Sequence, residues 1–260
     1  MFKILKYSFY DLTRSSWSYV YFFFYLLLGS VLLFLNHDLS TAIITLMNVI
    51  IMIVPLIGTI FGVMYYYNSR EFTQLLLAQP VKRSSIFLGQ YFGVAISLSL
   101  SLILGLGIPF AAYGLFKSAV IWDFIMLLVT GLFLTLIFSA LAFNIALSNE
   151  NKIKGFGYAI LLWLFLAVIY DGIFLLLLVY FQDYPLDRFS LVASMFNPID
   201  LSRILILLKL DISALLSYTG AVFKQFFGTP VGAVASMSML IIWVLLPLLR
   251  LKRVVRKKDF

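Results

Sequence analysis

Apolar residues run along this chain in six long blocks, covering 17–35, 41–67, 85–113, 120–147, 155–180 and 231–249. About 20 apolar residues in a helix cross the roughly 30 Å of a bilayer's hydrocarbon. The polar positions fall mostly between the blocks. The pattern predicts an all-α polytopic membrane protein with six transmembrane helices in one domain. The short alternating segments of a β-barrel are not visible.

The stretches outside the blocks have patterns of their own. Residues 1–16 put Phe2, Leu5, Phe9 and Leu12 on one helical face and Lys3, Lys6 and Arg14 elsewhere. That spacing predicts an amphipathic helix lying in the membrane interface, with a plain polar tail as the alternative. Within the second block, Gly58 and Gly62 offer a small-residue spacing for close helix approach. Gly105, Gly107 and Pro109 predict a kink or early break in the third. Asp171-Gly172 interrupts the fifth.

Residues 68–84 carry more design than a connector needs. Asn68 and Glu71 have capping-box spacing. Phe72, Leu75 and Leu76 share a face, Pro80 stops the helix, and Lys82 and Arg83 follow at the membrane edge. The segment reads either as a docking helix for a soluble partner or as an interfacial helix packed on headgroups. Between spans five and six, 181–229 is the longest region of mixed polarity. Its Asn197-Pro198-Ile199-Asp200 places a cap, a first-turn proline and an acid at a helix start. Leu201, Ile204, Leu205 and Leu208 then form one apolar face, as expected of an external amphipathic helix that is either re-entrant or lies on the surface.

Composition agrees: 63% of residues are hydrophobic and 12% charged, against about 45–50% and about 25% in soluble domains. The net charge of +8 reports orientation rather than nucleic-acid binding. Fourteen of the nineteen Lys and Arg residues lie in 1–16, 68–84, the turn with Lys152 and Lys154, or the tail 250–260. By the positive-inside rule, these segments and both termini are cytoplasmic, and 181–229 is external. No small-residue cleavage pattern follows the basic start, so no signal peptide is expected. With no cysteine and one histidine, His37, disulfides, thiolate chemistry and a His-rich metal cluster are excluded. The sequence has no GxxxxGK[ST] loop and no HExxH motif, so any ATP is bound by another chain and an intramembrane enzyme is disfavoured.

Asp171 stands out because a carboxylate deep in a span costs about 2.5–3.5 kcal/mol on insertion scales. It lies roughly 25 Å beyond Lys154 at helical rise, near the outer boundary. It is thus either a functional group or an interfacial one paired locally, with Arg203 or Lys209 as partner. Met47, Met52, Met64, Met237 and Met239 lie in spans. Thioethers suit Cu(I), but methionine is also an ordinary core filler, and the filler reading is preferred.

The run Glu71-Phe72-Thr73-Gln74-Leu75-Leu76-Leu77-Ala78-Gln79-Pro80-Val81-Lys82-Arg83, with Leu88-Gly89-Gln90 after it, resembles the membrane subunits of ABC type-2 exporter-like transporters. Phe72 stands where that family usually has glycine, and Gln90 where it has lysine. Phe196-Asn197-Pro198-Ile199-Asp200-Leu201-Ser202-Arg203, Asp171, and Gly228-Thr229-Pro230-Val231 look similar to the NosY-type permeases of nitrous-oxide reductase maturation. The resemblance implies a coupling helix on a cytoplasmic ABC ATPase subunit. Its contacts would be Asn68, Arg70, Glu71, Phe72, Gln74, Leu75, Leu76, Pro80, Lys82 and Arg83. It further implies a homodimer in the bacterial inner membrane, no cofactor in this chain, and ATP with Mg in the partner ATPase. A periplasmic β-helical protein would dock on Asn197, Pro198, Asp200, Leu201, Arg203 and Leu205, in the service of copper-centre assembly. Alternatives are an exporter permease for a drug, lipid or polysaccharide, an intramembrane enzyme, and a passive scaffold. In other exporters the external segment only plugs the outer face of the dimer.

Overall fold

The structure is a computed structural model, and it describes residues 1–36, 38–181, 187–209 and 230–257. Among these every regular element is helical. Six helices are long and apolar enough to cross a membrane: 17–36 in α2 (Ser16–Asn36), α3 (Leu39–Asn68), α5 (Arg83–Ala112), α6 (Ile121–Ser148), the continuous run 152–180, and 234–257 in α11 (Pro230–Lys257). The run 152–180 consists of α7 (Lys152–Leu164), a π-helical turn (Phe165–Ile169) and α8 (Tyr170–Tyr180). Shorter helices are α1 (Phe2–Arg14), α4 (Arg70–Leu77), α9 (Asp187–Met195) and α10 (Pro198–Lys209).

Local chemistry sets several of the ends. The Asp38 carboxylate accepts from the Thr41 backbone N–H at 3.0 Å and starts α3. Asn151 Oδ1 accepts from the N–H groups of Ile153 and Lys154 and starts α7. Both satisfy donors that a helix N-terminus leaves open. Gly114, at φ 93°, turns the chain after α5, a conformation that costs glycine little.

Helix α3 makes its most extensive pairing with α6, and α5 packs between α1 and α2. Gly62 explains the first pairing. A Cβ there would sit 2.7 Å from the Ala142 Cβ of α6, so the two backbones approach as only a small residue permits. The core of the bundle holds Ile43, Leu46, Ile50, Tyr91, Leu98, Phe138 and Phe143, all at most 1% exposed.

The observed ends correct some expectations. The third span is not interrupted at Gly105; α5 runs on to Ala112. Gly105 instead lies under Tyr25 of α2, 2.7 Å from where its own Cβ would be. The basic tail is not separate from the last span, because α11 continues through it to Lys257. Leu251 and Val255 extend the apolar stripe and are buried, which keeps the last turns docked. The interruption of the fifth span is the π turn at Phe165–Ile169, not Gly172. Helix α1 exists, and Ile4, Ser8 and Leu12 form its inward face, so of the expected interface face only Leu12 turns to the bundle. His37, 182–186, 210–229 and 258–260 lie outside the described residues. They include Gly228 and Thr229 of the expected entry to the last span.

Candidate functional site

Two polar-rich places stand out, one at the end of the bundle that gathers α1, α4 and the 149–152 turn, the other inside the bundle around α10.

At the first, α3 turns sharply into α4 at Ser69. Asn68 does not cap α4. It is the last residue of α3, and Ser69 takes the N-cap position without a side-chain cap bond. The Ser69 hydroxyl donates instead to the Tyr65 carbonyl at 2.8 Å, closing the end of α3. Asn68 Oδ1 accepts from Lys152 Nζ at 3.3 Å, and Arg70 donates to the Glu150 carbonyl at 3.4 Å. The Tyr67 hydroxyl donates to the Asn149 carbonyl at 2.7 Å. The junction is thus tied to the turn between α6 and α7.

The expected apolar face of α4 is split. Phe72 faces inward and stacks on Tyr7 of α1, with ring centroids 4.5 Å apart. Leu76 is half-buried beside it. Leu75 faces out and is 68% exposed. Arg70, Glu71, Gln74, Pro80, Lys82 and Arg83 are exposed as well. The buried residue of α4 is Thr73, whose hydroxyl accepts from Gln90 Nε2 of α5 at 2.8 Å and donates to the Ser69 carbonyl at 2.7 Å. Gln90, the departure from the family lysine, is therefore the tether of α4. Sequence reading passed over the Thr73–Gln90 pair; a polar residue at an inward position of each helix was the signal for it.

At the second place, α9 and α10 form a pair bent by 113°. The expected docking residues Asn197, Pro198, Asp200, Leu201 and Leu205 are buried, and Arg203 is half-buried. This sets aside the surface-lying alternative; a bent pair buried in the bundle fits the re-entrant one. The cause lies in the sequence of α10. Ile199, Ile206 and Leu207 fill the face left for polar residues, and all three are buried. A helix with apolar residues on both sides belongs inside, and α10 packs against α3, α6 and α11.

Burying a helix junction in an apolar bundle leaves backbone groups that must be satisfied internally. Side chains do this here. Tyr170 donates to the Ala193 carbonyl at 2.6 Å and Trp243 to the Met195 carbonyl at 3.1 Å, closing the end of α9. Asn197 Oδ1 accepts from the Ile199 N–H at 3.1 Å, with Pro198 in the first turn needing no donor. Asn197 Nδ2 donates to the Leu166 carbonyl and to Asp200, both at 2.8 Å. Leu166 sits in the π turn, where the regular i→i+4 ladder is broken. Asp171, five residues on, accepts from Arg203 Nη1 at 2.7 Å, and the same nitrogen reaches Asp200 at 3.2 Å. Asp171 therefore pairs with Arg203; the side chain of Lys209 is outside the described residues.

The methionines form no line: Met47 is in the core, Met64, Met237 and Met239 pack against it, and Met52 is 42% exposed. Among the described residues no group of three His, Asp or Glu side chains could hold a metal ion.

Six apolar spans with a buried bent pair define a multi-pass helical membrane protein. No family model matches the chain. It is similar to the "Probable ABC transporter permease protein NosY" of Pseudomonas aeruginosa, 28% identical over 174 residues, which is 65% of this chain and 62% of that protein. The protein of the same name from Stutzerimonas stutzeri is 28% identical over 151 residues, 56% of this chain and 51% of that protein. The chain thus spans between half and two thirds of the length of these curated relatives, and it resembles NosY-type ABC transporter permeases.

Proposed function

We propose that the chain is the membrane subunit of an ATP-driven ABC transporter and takes its energy from a separate cytoplasmic ATPase through α4. The observation that carries this is the division of labour within α4. Thr73 and Phe72 hold it to the bundle, while Arg70, Glu71, Gln74 and Leu75 face out. An exposed leucine ringed by charge is the make-up of a helix seated in a partner's groove. The basic residues of α1, α4, the 152–154 turn and α11 gather at this end of the bundle, which supports a cytoplasmic orientation in the bacterial inner membrane with both termini inside.

The NosY resemblance carries the finer reading: a homodimer that serves copper-centre assembly of nitrous-oxide reductase with a periplasmic β-helical partner. That partner would meet the exposed Phe189 and Val192 of α9 and Phe196 just after it, because α10 is buried. ATP hydrolysis in the partner ATPase, passed on through α4, would then move the spans and, through them, α9. The same geometry serves an exporter permease of another cargo.

Glu71→Arg and Leu75→Asp test the core of the proposal. Each should abolish co-purification with the ATPase while the chain still inserts and melts at the wild-type temperature. Undiminished co-purification by both variants would remove α4 from the interface.

A further inference from the structure

Among the described residues, nothing covers the outward face of α1, and its chemistry is specific. Helix α1 is pinned by its inward face. Ser8 lies against Gly93 of α5, where a Cβ would come 2.6 Å from the serine Cβ, and Ile4 lies against Gly89. So close a fit fixes which side faces away. That side carries Phe2, 81% exposed, with Leu5, Phe9 and Tyr10. Together with Lys3 and Lys6 these residues line a groove of about 380 Å³. Lys6 Nζ lies 5.9 Å from the centre of the Tyr10 ring, within cation–π range. Asp11, the acid of α1, falls on the opposite edge at 100° per residue. The helix leads directly through Ser15 into the first span, so the groove opens at the edge of the bilayer.

We infer that this groove binds one anionic phospholipid, its phosphate between Lys3 and Lys6 and an acyl chain along Leu5, Phe9 and Phe2. The charge pattern selects this occupant. A zwitterionic lipid carries the same phosphate but sets a quaternary ammonium against the two lysines, which cancels the attraction. A soluble anion would answer the lysines but leave the floor bare. A basic residue at a membrane surface contributes about 1 kcal/mol to anionic lipid binding, roughly fivefold in affinity. The inference rests on the membrane character of the chain and not on the ATPase reading.

The test is a thermal-melting titration of the purified full chain in detergent with phosphatidylglycerol, phosphatidylcholine or inorganic phosphate. Phosphatidylglycerol should raise the melting temperature of the wild type by several degrees at saturation. In the Lys3→Gln/Lys6→Gln variant the midpoint of that titration should move up roughly ten- to thirtyfold. A second variant, Leu5→Ser/Phe9→Ser, should weaken phosphatidylglycerol binding while keeping both lysines. Neither phosphatidylcholine nor phosphate should act on any form. Equal stabilisation by phosphatidylcholine, an unchanged midpoint in the lysine variant, or stabilisation by phosphate alone would each overturn the inference.

Discussion

Helices α4 and α10 begin alike and end in opposite places. Each opens with an asparagine just upstream and an acid in the first turn, and each carries a leucine-rich face. Yet α4 shows its charges and Leu75 to the outside and holds on through Thr73, while α10 is buried from Pro198 to Leu207 apart from the half-buried Arg203. The difference lies in the remaining positions. In α4 the face opposite Phe72 and Leu76 is Arg70, Glu71 and Gln74, which water or a partner must solvate. In α10 the corresponding face holds Ile199, Ile206 and Leu207, so both sides seek cover. A start signal tells where a helix begins; the least apolar side tells whether it can be covered.

The sharpest way to break this contrast is at Arg203. Arg203→Leu leaves Asp171 and Asp200 facing each other without a cation. Breaking a fully buried pair costs about 3–5 kcal/mol; the 30% and 26% exposure of Arg203 and Asp171 side chains lowers the expected loss to about 2–3 kcal/mol. Melting of the purified chain measures it, and Asp171→Asn/Asp200→Asn in the same chain should recover most of the loss. Next in size is Asn197→Ala. It strips partners from the Leu166 carbonyl, Asp200 and the Ile199 N–H at once, and should cost about 1–3 kcal/mol. An unchanged melting temperature would show that the junction is wet rather than sealed.

The expectations from sequence fared according to how much each depended on neighbours. The spans were legible because 20 or more apolar residues have few other homes. The Gly58–Gly62 contact was legible because spacing alone brings both glycines to one side. The inward face of α1 was not. Counting apolar residues finds the side meant for the membrane, Phe2, Leu5 and Phe9, but the packed side is set by Gly89 and Gly93 of α5, which leave room for a small residue that Ser8 supplies. The polar knot was half legible. Asp171 could be named with Arg203 or Lys209 as its partner, but the choice of Arg203, the π turn that frees the Leu166 carbonyl, and the roles of Tyr170 and Trp243 at the end of α9 depend on the bend between α9 and α10. For α4, the exposed charges could be read, while its true ends at Arg70 and Leu77, short of Pro80, and its tether to Gln90 required knowing which side faces α5.

The tether offers a smaller effect. Thr73→Val leaves the buried Gln90 amide without its acceptor and should cost about 1 kcal/mol. Hydrogen exchange should report the loss in α4 and not in α10, because local opening of a short peripheral helix need not involve the core. Exchange rising equally in both would mean that they open as one unit. Smallest of all, Gln74→Ala on the exposed side of α4 should leave stability within about 0.5 kcal/mol of the wild type. Its effect, if α4 seats in a partner, belongs to ATPase binding alone.

The central claim is that α4 is offered to a partner and α10 is not, and the absence of cysteine from the chain makes it directly measurable. Leu75→Cys and Leu201→Cys are introduced singly and labelled with a membrane-impermeant maleimide in inverted membrane vesicles, with and without the co-expressed ATPase. The account predicts fast labelling at position 75 that the ATPase suppresses, and no labelling at position 201 in either case. Position 201 reacting as readily as 75, or position 75 reacting equally with and without the ATPase, would contradict it.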